Sequence, residues 1–216
     1  MYLPASSKWL CDEYSENKTE MEGWLITFVY GPLLSILLTV PATLLKMTER
    51  KMSSVSRRFD LSAWRESGYL HDGLLRIQKN DQDVLAMEAK PTEEGSLYDF
   101  RKLGIVLCND ILAMKKRYCG IADQDHRAYG IMFVGYEVWL LETRLVKGKP
   151  LLFSVANVPI PKNDREFGRL FPLLKKFIEF KRRVDDTVKL LLQHDKIHSA
   201  AVAAAAAAAK VIGQQE

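Results

Sequence analysis

The chain has 216 residues, enough for one domain of ordinary size or two small ones, with a core that needs no disulfides. Hydrophobic residues make up 48% and charged residues 27%, which is typical of a globular protein and argues against general disorder. The net charge of +4 permits a polyanionic partner without demanding one. The three scattered cysteines form no C-x-x-C pair, so we expect neither a disulfide framework nor a zinc site. We therefore expect the chain in a reducing intracellular compartment, cytoplasmic or nuclear.

The N-terminal part of the chain contains a long apolar segment. Residues 1–20 are polar and predict an irregular stretch, whereas residues 24–45 carry no charge over 22 positions, enough to cross a bilayer. Gly31-Pro32 and Pro41 interrupt this segment, and proline disrupts a helix interior. We therefore favour a core helix with broken ends, while a membrane-associated protein anchored by residues 24–45 remains the less favoured alternative.

The rest of the chain reads as one domain with a tail. Residues 46–66 are charged and contain serines, so they predict an exposed connection. No linker follows, which predicts a single α/β domain over residues 21–196. Residues 197–216 include the run AAVAAAAAAAK, a low-complexity sequence with high helix propensity and little side chain to bury, so we expect a frayed helical tail.

The central region alternates between strand and helix patterns. GYLHDGLLRIQKN and DVLAMEAK predict two strands joined at Asn80–Gln82 as a hairpin. An amphipathic helix should follow, because apolar residues recur at spacings of three and four. Those residues are Phe100, Leu103, Leu107, Ile111, Met114 and Tyr118. About three more strands and a C-terminal helix over 164–196 complete the pattern; in that helix Phe171, Leu174, Phe177 and Ile178 should face inward.

The predicted order is α, β, β, α, β, β, β, α. Strands interleaved with helices in this way indicate a mixed α/β (α+β) fold, with a central sheet of about five strands flanked by helices.

Two charged residues end the second strand of the hairpin. Side chains alternate between the faces of a strand, so Glu88 and Lys90 share one face, and hairpin pairing could bring Asp72 close to Glu88. Mg²⁺ is typically held by one or two carboxylates, with waters and substrate phosphates completing its shell. Asp72, Glu88 and the main-chain carbonyl of Ala89 could supply such a site. Lys90 could then position the nucleophile or stabilise the transition state of phosphodiester hydrolysis.

These residues resemble a known family. Asp72, fifteen residues and then Glu88-Ala89-Lys90, on consecutive strands followed by a helix, are similar to the PD-(D/E)XK nuclease superfamily. The resemblance covers roughly residues 24–158 and implies a restriction endonuclease-like α-β-β-β-α-β core, with Asp72 and Glu88 as Mg²⁺ ligands and Lys90 as a catalytic residue. More loosely, the chain also resembles uncharacterised fungal proteins suspected of that fold.

The sequence departs from the family pattern in three places. His71 stands where many members have proline, and only Glu20 or Glu22 could supply the acidic residue of the first helix. The helix after Lys90 lacks the glutamine and tyrosine of some branches. Its nearest polar residues are Tyr98, Arg101 and Lys102. Glu-x-Lys also occurs four times in the chain, so its weight rests on the upstream Asp72, and a solvated surface pair on an edge strand remains the simpler alternative.

Two functions from different classes follow from these patterns. The first is a metal-dependent nuclease acting on DNA or RNA, with Lys115, Lys116 and Arg117 as candidate phosphate contacts. The second is a catalytically inactive protein of the same fold that binds nucleic acid or protein. Asp123, Asp125 and His126 are better explained as a polar loop than as metal ligands. The P-loop, serine hydrolase and zincin motifs are absent, and no oligomeric state follows from the sequence.

Overall fold

The computed structural model describes residues 29–36, 40–51, 70–90, 92–93 and 96–212. Three α-helices lie in this part of the chain: α1 (Gly31–Leu34), α2 (Ser96–Arg117) and α3 (Leu170–Ile212). The strands are β1 (Thr43–Lys51), β2 (Leu70–Ile77), β3 (Gln82–Lys90), β4 (Arg127–Val134), β5 (Glu137–Val146) and β6 (Lys149–Pro159). Short 3₁₀ helices cover Asp123–Asp125 and Asp164–Arg169.

One mixed sheet organises the fold. Its six strands follow chain order, and every neighbouring pair is antiparallel except β3 and β4. Parallel neighbours need a crossover connection, and α2 supplies it across one face of the sheet. The predicted mixed α/β fold with flanking helices is therefore confirmed, with six strands rather than about five.

Helix α2 packs tightly on one face of the sheet. Leu103, Leu107, Ile111 and Met114 are fully buried, which confirms the predicted apolar stripe. The sheet accommodates the helix at Gly130 of β4, where an added Cβ would lie only 2.7 Å from Leu107 Cδ1.

Helix α3 covers the opposite face. Its buried residues recur at spacings of three and four and are Leu173, Phe177, Phe180, Val184, Val188 and Leu191. The prediction that Phe171 and Ile178 face inward was wrong, because they lie off this stripe and are 69% and 43% exposed. The alanine-rich end continues the helix to Ile212, and residues 199–208 are exposed.

The apolar N-terminal segment does not form one helix. Its described part forms the short helix α1, and the segment then enters strand β1. Beside α1, Tyr30 stacks on Phe133 with ring centroids 4.1 Å apart and donates a hydrogen bond to the Gly135 carbonyl at 2.6 Å. Tyr30 is therefore buried against the α3 face of the sheet, as expected for a core element.

Strand β1 corrects the expectation of an exposed connection after the apolar segment. It pairs antiparallel with β2, from Thr43 with Ile77 to Lys51 with Leu70, so residues 46–51 belong to the sheet rather than to an exposed connection. Among the residues described, no helix is long and apolar enough to cross a membrane. The predicted irregular stretch 1–20, together with Glu20 and Glu22, lies outside the described residues.

Candidate metal centre

The register of the β2–β3 hairpin places Asp72 and Glu88 on the same face. Pairing runs through Leu74 with Ala86 and ends at Gly73 with Met87. Asp72 and Glu88 each lie two positions from the Leu74–Ala86 pair, so both project from the face of the sheet that this pair occupies. The two carboxylates therefore share one face at the end of the ladder, and their convergence on one ion stays a prediction.

The Asp72 carboxylate reaches across to the backbone of β3. Its Oδ2 accepts a hydrogen bond from the Ala89 N–H at 2.6 Å. In a strand the N–H and C=O of one residue point towards the same neighbouring strand, so the Ala89 carbonyl also faces the β2 side. The next carbonyl, of Lys90, points the other way and accepts from the Gly135 N–H at 2.7 Å. The Asp72 carboxylate and the Ala89 carbonyl thus both lie on the β2 side of β3.

Glu88 lies on the α2 face of the sheet and is nearly buried. Its side chain is 3% exposed, and its Oε1 lies 2.8 Å from Lys102 Nζ of α2. Strand β3 is flanked by β2 and β4 and is buried along most of its length. The simpler alternative of a solvated pair on an edge strand is therefore wrong for Glu88. Burying a carboxylate has a desolvation cost, and the Lys102 ammonium offsets it.

Lys90 is held by a second helix residue. Its Nζ lies 3.2 Å from Asp99 Oδ2, and Asp99 Oδ1 lies 3.7 Å from Lys102 Nζ. Glu88, Lys102, Asp99 and Lys90 therefore form a chain of alternating charges, which we call the charge chain. Its members carry two positive and two negative charges and sum to zero.

Asp99 is the residue of this site that the sequence did not reveal. It lies three residues after Ser96, a spacing typical of a helix-capping box, but its carboxylate is 9% exposed and pairs with both lysines. The available signal was its i, i+3 spacing to Lys102, which places the two on one flank of α2. The other polar candidates on this helix, Tyr98 and Arg101, are exposed.

The predicted nucleic-acid contacts lie elsewhere. Lys115, Lys116 and Arg117 occupy the last turn of α2, fifteen positions beyond Lys102 at the furthest, or about 20 Å along the helix. Lys115 Nζ pairs with Asp123 Oδ2 at 2.9 Å, and Arg117 donates to the Asn80 carbonyl at 2.9 Å. The structure therefore does not bring this group together with Asp72 and Glu88.

Comparison with known proteins adds no family to this geometry. No protein-family model matches the chain, and neither a curated protein nor a solved structure matches it.

Proposed function

We propose that the chain is a PD-(D/E)XK-type, metal-dependent nuclease that hydrolyses phosphodiester bonds of DNA or RNA. The observation that carries the proposal is the hydrogen bond that the Ala89 N–H donates to the Asp72 carboxylate. Ala89 follows Glu88 directly on β3, and Asp72 shares a face of the sheet with Glu88. Among the described elements, the order α1-β1-β2-β3-α2-β4 also follows the α-β-β-β-α-β core of restriction endonuclease-like proteins. This agreement supports the resemblance through topology rather than through sequence.

The donor set suits Mg²⁺ in its chemistry. Asp72, Glu88 and the Ala89 carbonyl are oxygen donors, the type that this hard cation prefers. Among the residues described, no three His, Cys, Asp or Glu side chains are grouped to hold a metal. Two carboxylates with one carbonyl do not require such a group, because Mg²⁺ usually keeps several waters. When bound, the ion would lower the pKa of a coordinated water and offset charge on the phosphate.

The lysines of the charge chain have different roles in this proposal. Lys90 is 34% exposed, so its ammonium can meet a phosphate oxygen while Asp99 holds its position. Lys102 is 14% exposed and covers Glu88. Glu88 Oε1 becomes available to an ion only when the Lys102 ammonium moves away from it.

A second candidate function is favoured by the same contact. The Glu88–Lys102 pair satisfies the carboxylate without any metal, as expected if the motif has become structural. The chain would then be a catalytically inactive nuclease-like fold that binds nucleic acid or protein.

Cleavage assays separate the two candidates. The full chain is incubated with supercoiled plasmid, single-stranded DNA and single-stranded RNA, with Mg²⁺ or with a chelator. We expect magnesium-dependent cleavage that falls on the order of 100-fold in Glu88→Gln and Lys90→Met, the scale of losing a positioned catalytic group. Glu93→Gln and Lys196→Met, which make the same charge changes at exposed positions, should cleave like wild type.

The outcome is read against those controls. Equal cleavage by wild type, Glu88→Gln and Lys90→Met would refute the assignment of Glu88 and Lys90 to a catalytic site. No cleavage by wild type, together with retained gel-shift binding of the same substrates, would favour the inactive binding module.

A further inference from the structure

A second charged cluster lies on the other face of the sheet. Glu142 of β5 is fully buried and pairs in register with Tyr129 of β4, whose hydroxyl donates to the Arg183 carbonyl of α3 at 2.8 Å. Glu142 therefore faces α3, whereas Glu88 faces α2.

Three arginines from three elements converge on this carboxylate. Arg127 Nη1 lies 3.4 Å from Glu142 Oε1, Arg144 Nε donates to the same oxygen, and Arg183 Nη1 lies 3.1 Å from Oε2. We call Arg127, Arg144 and Arg183 the arginine triad. Their side chains are 31%, 39% and 41% exposed, so each guanidinium touches both the buried carboxylate and solvent.

The triad carries more charge than Glu142 requires. Among the described residues the triad forms ion pairs with Glu142 alone. One carboxylate balances one guanidinium, so the triad and Glu142 together carry a surplus of +2. Each guanidinium has five N–H donors, and each uses a single nitrogen in its contact with Glu142. Like charges held this close repel one another, and a bound anion would relieve that repulsion.

The remaining donors are also oriented. Arg144 lies over the Phe153 ring of β6, with its guanidinium carbon 5.6 Å from the ring centroid. Phe153 stands opposite Glu142 in the β5–β6 register and is 40% exposed. Stacking fixes the plane of a guanidinium, which lowers the conformational cost of binding a second group.

From these contacts we infer that the arginine triad binds a dianionic phosphate monoester. Guanidinium groups match phosphate oxygens with paired, parallel hydrogen bonds. A phosphate monoester carries about −1.5 to −2 at neutral pH, which matches the surplus of +2, whereas a phosphodiester carries a single charge. The inference does not rest on the proposed nuclease activity.

The triad is distinct from the candidate metal centre. Arg127 is the first residue of β4, whereas Val134, which pairs with Lys90, is the last. Eight strand residues span about 25 Å, and the two sites lie on opposite faces. A phosphate held by the triad is therefore a separate ligand from one held near Glu88.

Calorimetric titration of the full chain with inorganic phosphate at pH 8 and fixed ionic strength tests the inference. We expect saturable binding of phosphate and at least tenfold weaker binding of dimethyl phosphate, a monoanion of similar shape. Arg144→Gln and Arg183→Gln should each weaken phosphate binding at least tenfold. Arg182→Gln changes the same charge at the exposed neighbouring position of α3 and should bind like wild type.

The wild-type comparison keeps the test decisive even if a triad variant unfolds. No phosphate binding by wild type, or equal affinity for phosphate and dimethyl phosphate, overturns the inference. The inference also fails if Arg182→Gln weakens phosphate binding as much as Arg144→Gln and Arg183→Gln do. Circular dichroism checks the fold of each variant. Arg144→Lys keeps the charge but lacks the paired N–H donors of a guanidinium, so it should bind phosphate with intermediate affinity. If a nucleoside monophosphate binds more tightly than inorganic phosphate, the ligand of the triad is a nucleotide. If the two bind equally, the ligand is free phosphate.

Discussion

Removing the Lys102 ammonium, which covers Glu88, should lower the stability of the fold and raise the affinity of the site for magnesium. Lys102→Met keeps an unbranched side chain in α2 but leaves Glu88 without a cation 2.8 Å from Oε1. Breaking a buried ion pair costs about 3–5 kcal/mol. We expect the lower end, about 3 kcal/mol, because Lys102 is 14% exposed and water can reach part of the site. For a chain of this size that lowers the Tm by about 6–12 °C.

Magnesium should then reverse much of this loss. In wild type a cation must displace Lys102 from Glu88, whereas in Lys102→Met that competition is gone. A ligand present at 100 times its Kd adds about 2.7 kcal/mol to the free energy of unfolding, or about 5–11 °C in Tm. Magnesium should therefore raise the Tm of Lys102→Met by several degrees more than that of wild type.

Thermal unfolding followed by circular dichroism over a magnesium titration measures both effects. Lys116→Met removes the same charge from an exposed position of the same helix and should behave like wild type. The double variant Lys102→Met/Glu88→Gln should lose the magnesium response, because it lacks the proposed ligand. The reasoning is refuted if magnesium shifts wild type and Lys102→Met equally, or if the double variant keeps the shift.

Two further predictions concern packing and pH. Gly130→Ala should lower the free energy of unfolding by about 1–3 kcal/mol in urea denaturation, because the new Cβ would lie 2.7 Å from Leu107 Cδ1. Gly168→Ala, whose Cβ would meet nothing within 4 Å, should be nearly neutral. Equal losses in the two variants would contradict the close packing of α2 on Gly130. Burial raises the pKa of Tyr129 to about 12 from its ordinary 10, so stability is fully present below pH 10 and is lost as pH rises towards 12, by about 3 kcal/mol. Tyr129→Phe should flatten that decline in the free energy of unfolding measured between pH 9 and 12, and parallel curves for the two proteins would contradict it.

The parts of the fold that were predictable are those with strong local patterns. Helix α2 buries the expected stripe because its apolar residues alone determine which face meets the sheet. The β2–β3 hairpin also formed, although its turn covers residues 78–81 and Gln82 already begins β3. Asp81 has a φ of 54°, a left-handed conformation that aspartate tolerates in turns.

Strand β1 was missed because its sequence carries no alternation. TLLKMTERK mixes apolar and charged residues without a period of two, so it reads as the end of an apolar segment followed by a charged connection. Pairing with β2 decides its structure, and that is a long-range contact. In α3, Phe171 looked like a core residue by type, but the helix begins at Leu170 and its buried stripe starts at Leu173.

The strand residues of the site were more predictable from the sequence than its helix residues. Asp72 and Glu88 follow from hairpin register, which a sequence can indicate. Asp99 and Lys102 belong to the site because α2 crosses above β3, and no local pattern states where a helix will lie on a sheet.

The charge of the candidate centre bears directly on its proposed function. The charge chain and Asp72 bring three carboxylates and two ammonium groups to this part of the sheet. Each carboxylate near the proposed ion would repel the phosphate of a nucleic acid, since like charges repel. A bound divalent cation would add two positive charges beside Asp72 and Glu88 and so favour the approach of that phosphate. The proposed metal dependence therefore has an electrostatic reason as well as a chemical one.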